Sequence, residues 1–367
     1  MPIYKSHTIL HVVHNVKAFL TFNMGVTRGE VPTTETLEAR LHEQTRRLEL
    51  AQASIRKQER QLREFTASES ASSRDKQGSI DPKNIVWIMG SPRTGSTWLG
   101  KMLRKPRERV LWGEPFFGVV LGFRKNLANR GYTNSDNFLL GEPHKEVWIG
   151  SMRRLFLDVG QAKFPDISTE QYLIVKEPNG SLSAPLILEA FPESRLIFLM
   201  RDSRDVVASL LDAAKEESWY GYNRYEASVA EALWSGNLTT LEHRSEEEFI
   251  EQLAKNYMTN IGAVKAAYDK HPDALKVMVR YEDLRNDPLK HIVRICDTLQ
   301  IQVDKSQLEQ AVKKHSWENV PDDKKGFGKH HRKATPGGWQ EDLTPEQATM
   351  IERITAPILH EYYPREG

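Results

Sequence analysis

The first hydrophobic pattern along the chain has helical period: Ile9, Val12, Val13, Val16, Phe19, Leu20 and Phe22 recur with His11, Asn15 and Lys17 between them. This predicts an amphipathic helix of about four turns within residues 1–30, stopped at Gly25. It is too short and polar to span a membrane and lacks a signal peptide's small-residue cleavage site. Packing against its own domain or a partner chain is the preferred reading, and peripheral contact with a membrane surface is the other. Over residues 34–66 the period becomes seven, with Leu41, Leu48, Ile55 and Leu62 at a and Leu37, Gln44, Ala51, Gln58 and Phe65 at d. Two polar d layers weaken the seam, while the other positions are rich in Glu, Arg, Lys and Gln. A two-chain coiled coil, and hence a homodimer, is preferred over a single charged helix folded back on its domain. Residues 67–82 carry no period and are mostly Ser, Ala, Glu, Asp and Gly, which predicts a linker and a main domain over 83–367.

Within that domain, short apolar runs alternate with helical stretches. Ile85 to Met89, Val110 to Glu114, Tyr172 to Lys176, Arg195 to Met200 and Leu275 to Arg280 read as strands. Asp205 to Lys215, with Val206, Val207, Leu210, Leu211 and Ala214 inward, and Glu246 to Lys270 read as helices. So does the face made by Ile292, Ile295, Cys296 and Leu299. The last helix begins at a capping box, Thr344-Pro345-Glu346-Gln347, and buries Ile351, Ile354 and Ile358. Residues 118–168 are mixed and helical, a candidate wall for a second ligand. Trp219, Tyr220, Tyr222 and Tyr225, with Trp234 in the helical stretch that follows, are core residues or a stacking surface. Strand and helix alternating in this way predict an α/β fold.

Composition narrows the picture in three places. A formal net charge of +1 over 367 residues argues against a general nucleic-acid surface. Cys296 is the only cysteine, which excludes an internal disulfide and fits a reducing, cytoplasmic compartment. No stretch approaches eighteen uninterrupted apolar residues, so no membrane span is expected.

The candidate chemistry begins after the first strand, where Gly90-Ser91-Pro92-Arg93-Thr94-Gly95-Ser96-Thr97-Trp98 leads into a helix. Gly90, Gly95 and Thr97 occupy the glycine and hydroxyl positions of a phosphate-binding loop, whose amides wrap an anion at a helix N-terminus. Ser96 stands where nucleotide triphosphatases place a Lys, and Arg93 is the loop's only cation, so the loop lacks the usual partner of a Mg²⁺-bound triphosphate. Three carboxylates and cations fall at strand ends, where ligands sit in parallel α/β sheets: Glu114, Lys176 and Glu177. Arg201 ends another strand, and Ser209 lies in the helix after it. Arg204 reads as an ion-pair residue with Asp202 or Asp205. His330 and His331 have no second ligand pair at helical or hairpin spacing, so no metal is expected.

In kind, order and separation, the loop at 90–98, the segment from Arg201 to Ser209, and Arg332-Lys333-Ala334-Thr335-Pro336-Gly337-Gly338-Trp339 resemble the sulfotransferase family. The resemblance covers Asn84 to the C-terminus. It implies a P-loop-like, mainly parallel sheet flanked by helices, and transfer of a sulfuryl group from 3′-phosphoadenosine-5′-phosphosulfate (PAPS) to a hydroxyl or amine, releasing adenosine 3′,5′-bisphosphate (PAP). The acceptor is expected to be a carbohydrate or small molecule. For the cofactor the resemblance implies Arg93, Thr94, Gly95, Ser96, Thr97 and Trp98 in the loop, Arg201 and Ser209 at the 3′-phosphate, Tyr281 beside the adenine, and Arg332 and Lys333 folded over the phosphate. Glu114 looks like the base of the Glu-dependent members, with Arg93 and Lys176 stabilising the leaving oxygen. Small-molecule members have Lys-Thr-His where this chain has Lys176-Glu177-Pro178, which removes their His base and leaves Glu177 as a second candidate. Ala334 replaces the usual Gly, which alters the loop's backbone more than its charge. A P-loop kinase and a non-catalytic coiled-coil scaffold are the readings from other classes. Ser96 argues against the first, and the retained Arg93, Glu114, Lys176, Arg201 and Ser209 against the second.

Overall fold

Five apolar segments form the strands of one sheet because each is a near-continuous run able to bury both faces. In the computed structural model, which describes residues 79–105, 108–128, 131, 134, 135, 137–214, 245–329 and 331–363, these are β1 (Ile85–Gly90), β2 (Arg109–Gly113), β3 (Tyr172–Lys176), β4 (Arg195–Met200) and β5 (Lys276–Arg280). All pairings are parallel, in the order β2-β3-β1-β4-β5. The expected amphipathic helix, the heptad segment and the aromatic cluster at 219–234 lie outside the described residues.

Side-chain alternation in the strands divides the interior into two layers. Ile85, Trp87, Met89, Leu173, Val175, Leu196, Phe198 and Met200 face one cluster. Its cover comes from α3 (Lys145–Lys163), α4 (Ala184–Ala190) and α6 (Glu246–Lys270). Val86, Ile88, Ile174, Ile197, Leu199, Val277 and Val279 face the other, under α1 (Ser96–Leu103), α7 (Tyr281–Asn286), α8 (Pro288–Thr298) and α9 (Lys305–Lys314). Each such side chain contributes about 1.5–3 kcal/mol by leaving water. Trp87 is fully buried, donates from Nε1 to Ser194 Oγ at 3.0 Å, and touches Phe117, Phe156 and Phe191. Its replacement by Ala would cost about 3–5 kcal/mol. Cys296 is core, its thiol pushed up to about 12 by burial.

A third cluster joins α5 (Ser203–Ala213) to α6 and α10 (Pro345–Tyr362). Helix α5 starts two residues before the expected Asp205 because the Asp202 carboxylate caps it, accepting from the Arg204 amide at 2.8 Å. The capping box at Thr344 and Gln347 is formed as expected. The packed region reaches into the expected linker: Ile80 is buried and donates its N–H to Gln161 Oε1 at 3.2 Å. Residues 118–168 hold α2 (Phe117–Ala128) and α3, but α3 turns Trp148 and Phe156 into the core, leaving α2 as the part beside the strand ends. Among the described residues no helix is long and apolar enough to cross a membrane.

Strand order makes β1 the strand from which the chain leaves in opposite directions, to β2 on one side and later to β4 and β5 on the other. Ligands in parallel α/β sheets sit at such a point, over the carboxyl ends.

Candidate active site

The loop after β1 turns on Gly95, which has φ +88° and N-caps α1. A side chain there would also meet the Tyr281 ring, 2.6 Å from an added Cβ, so both conformation and space require glycine. Thr94 is fully buried and donates its hydroxyl to the Ser91 carbonyl at 2.8 Å, tightening the loop rather than facing outward. Arg93 is held at φ +69° and donates from Nε to Ser209 Oγ at 3.0 Å. Its carbonyl accepts from Arg201 Nη1 at 3.1 Å.

A cavity of about 340 Å³ opens over this loop, and its wall includes Arg93, Gly95, Ser96, Thr97, Trp98, Arg201, Ser209, Tyr281, Arg332 and Lys333. Thus residues from four separated segments converge on one cavity, and Thr94 is not on its wall. The Arg201 guanidinium lies 4.5 Å over the Tyr281 ring and pairs with Asp205 at 3.7 Å. Arg332 is buried between Asp212, at 3.5 Å, and Asp342. Lys333 is already neutralised by Glu341 at 2.8 Å and Asp342 at 3.0 Å. Ala334, in the position expected to alter the loop, accepts from Arg285 Nε through its carbonyl at 3.1 Å. Asp205 fixes this strap by accepting the amides of Gly337 and Trp339 at 2.8 and 2.9 Å. Arg204 points away and pairs with Asp202 through two contacts, at 3.0 and 2.7 Å.

The cavity is strongly cationic. Burial, then repulsion from Arg201 and Arg332, lowers Arg93 to about 10. Burial and neighbouring cations also hold His315 and His331 below the usual histidine range, so both are neutral near pH 7. Arg201 Nε is buried with no hydrogen-bond partner among the described residues. Sequence reasoning missed Lys101, Arg285, Lys314, Trp317 and Lys324 on the same wall. Lys101 follows Thr97, and Arg285 follows Tyr281, at the four-residue spacing that shares a helix face, so both were readable in principle. Trp317 sits in a segment without period and gave no signal.

Glu114, Lys176 and Glu177 lie elsewhere along the same edge. Glu114 and Lys176 are not on the cavity wall; they extend the β2–β3 ladder by one step, with the Glu114 amide donating to the Lys176 carbonyl at 2.8 Å. Lys176 Nζ meets Glu114 Oε1 at 2.6 Å, and Glu114 Oε2 is buried without a partner. Parallel strands are about 4.8 Å apart, so Glu114 stands roughly two strand spacings from the end of β1. Glu114 has φ +52° and Phe116 φ +56°, two left-handed non-glycine residues around Pro115. Glu177 is fully buried, and neither carboxyl oxygen reaches hydrogen-bond geometry. Burial, then the Glu114 charge, pushes it up to about 8, against a partial pull from the amides of Phe117 and Phe116. It sits where the start of α2 crosses the segment after β3: a Cβ on Gly118 would overlap the Gly180 backbone, and one on Gly180 would overlap the Glu177 carboxyl.

A family model described as the sulfotransferase family matches residues 86–305. Among solved structures, a mouse sulfotransferase complexed with PAP is 12% identical, with a TM-score of 0.43 over 77% of this chain and 86% of that one. A sulfotransferase from Mycobacterium avium is 13% identical, with a TM-score of 0.45 over 77% and 78%. The sulfotransferase domain from the curacin biosynthetic pathway is 14% identical, with a TM-score of 0.42 over 75% and 96%. A comparison with curated proteins finds no match. The family match takes in more than half of the chain, from β1 and its loop through Arg201, Ser209 and Tyr281, and the chain belongs to the sulfotransferase family.

Proposed function

We propose that this sulfotransferase moves a sulfuryl group from PAPS to a hydroxyl or amine on its acceptor. The observation that carries the reading is the convergence of Arg93, Arg201 and Arg332 on one cavity, where burial, and then repulsion from the other two, lowers Arg93 to about 10. Binding a polyanion relieves that repulsion through charge-assisted hydrogen bonds. In this reading Arg93 and the amides from Thr94 to Thr97 hold the 5′ side of the nucleotide, and Arg201, Ser209 and Arg332 hold the 3′-phosphate. Lys333 is the weakest member, being paired already. Trp98, whose indole donates to the His315 carbonyl at 2.8 Å, and Tyr281 flank the base.

PAPS supplies an electrophilic sulfur and a bisphosphate leaving group. Glu114 accepts the acceptor's proton, and Lys176, 2.6 Å away, holds that carboxylate in place. Arg93 stabilises negative charge developing beside the loop. Glu177 is poorly suited to the base's role, because at neutral pH it keeps its own proton. Calorimetry with PAP and ADP tests the reading: PAP is expected to bind far more tightly, and equal affinity would overturn it. From the heptad at 34–65 alone we further propose a dimer, which light scattering showing a monomer at micromolar concentration would refute.

A further inference from the structure

Two strained residues bracket Pro115, and only one of them has a role in the chemistry above. Glu114 is the proposed base. Phe116, at φ +56°, is a bulky aromatic residue in a conformation that glycine adopts without cost. If the turn were needed only to aim Glu114, glycine at 116 would serve it better. The Phe116 side chain is also not spent on the core: it is 49% exposed, while the next residue, Phe117, is buried against Trp87. Four residues on, Val120, whose amide donates to the Phe116 carbonyl at 3.1 Å, is 54% exposed, and Leu121 behind it is buried. Helix α2 therefore turns Phe117 and Leu121 inward, while Phe116, just before the helix, and Val120 within it are exposed apolar residues beginning two residues from Glu114. Strain maintained at a functional turn to hold a large side chain in water points to a ligand that covers it.

Resting on the sulfotransferase reading, we propose that Phe116 and Val120 form the acceptor's apolar rest, and that the acceptor is an alcohol or phenol with a hydrocarbon body rather than a sugar. The hydroxyl is presented to Glu114, its proton passes to the Glu114 carboxylate, and its oxygen forms the new bond to sulfur as the bond from sulfur to the bisphosphate oxygen breaks. The alkyl or aryl body lies along the outward face of α2. Sugars, with hydroxyls on every side, would leave polar groups against two apolar side chains and gain little from them.

The test is transfer from labelled PAPS to three sets of acceptors: primary alcohols of increasing chain length, simple phenols, and methyl glycosides. The expected result is that kcat/KM rises about threefold to fourfold for each methylene that reaches the patch, with the glycosides far behind. Phe116→Gly, which the backbone accepts without strain, should keep or raise the melting temperature and leave PAP affinity unchanged. It should raise KM for long-chain alcohols about tenfold with little change for ethanol. Equal loss for polar and apolar acceptors, or PAP binding without transfer to any alkyl or aryl alcohol, overturns this proposal and leaves the sulfotransferase reading standing. Failure to bind PAP in calorimetry removes that reading, and this one with it.

Discussion

The two sides of β1 are built on different principles. Towards β4 and β5 the carboxyl edge is a field of cations: Arg201, Arg285 and Arg332 join Arg93, and their acidic neighbours Asp205, Asp212 and Asp342 hold most of them in place. Towards β3 and β2 the edge carries Lys176 paired with Glu114, the enclosed Glu177, and two residues in left-handed conformations. Affinity for a polyanion comes from a sum of charges and tolerates imprecision in any one of them. Proton transfer depends on a single oxygen in one place, so the second side is specified by backbone geometry instead.

The largest break in this division should come from Glu114→Gln, which preserves shape and removes the proton acceptor. Turnover is expected to fall about a hundredfold to ten-thousandfold, with PAP affinity nearly unchanged. Steady-state kinetics beside calorimetry checks both halves, and a matching loss of PAP affinity would show that the two sides are not separate. Arg201→Ala is the converse: PAP binding should weaken by about 2–3 kcal/mol, read as a rise in Kd, because charge-assisted bonds to a phosphate are lost from a buried position.

Glu177 sharpens the comparison through pH. Its folded pKa of about 8 lies above the ordinary carboxylate value, so its stabilising contribution is complete below about pH 4.5, declines as pH rises to about 8, and is level beyond. Glu177→Gln, neutral at every pH, should therefore melt higher than the parent at pH 8, with the gap closing towards pH 5, while turnover falls only mildly. Melting curves that run parallel from pH 5 to 8 would mean that Glu177 titrates normally. The smallest effect belongs to Arg204→Ala, which removes a partly exposed pair with Asp202 outside both sides. PAP affinity should not change, and stability should fall by about 1 kcal/mol or less in urea titration.

The nucleotide side was the more legible of the two in sequence. Strands wholly inside the sheet announce themselves as unbroken apolar runs, and β1, β3 and β4 stood out for that reason. Arg201 and the loop glycines followed at fixed offsets from those runs. The heptad segment and the Trp219 cluster were legible only as patterns. What the sequence could not carry was long-range neutralisation. Nothing near Lys333 in sequence announces its pairs with Asp342 and Glu341, and nothing near Thr94 announces that its hydroxyl closes the loop. Glu177 is legible in sequence as a strand-end carboxylate and second base candidate; only packing under Gly180 reveals an enclosed acid. No local rule predicts φ at Phe116, since a residue after proline has no intrinsic reason to turn left-handed.

The crossing of Gly118 and Gly180 bears on how this enzyme can diversify. Two main chains in direct contact leave no side chain between them that mutation can shorten or lengthen, so α2 and the end of β3 behave as one welded piece. Insertions near this joint would displace Lys176 together with Phe116 and the helix that carries Val120. Descendants seeking a new acceptor are therefore channelled towards exchanges at positions 116 and 120 themselves, where the outward side chains can change size and polarity without disturbing the weld.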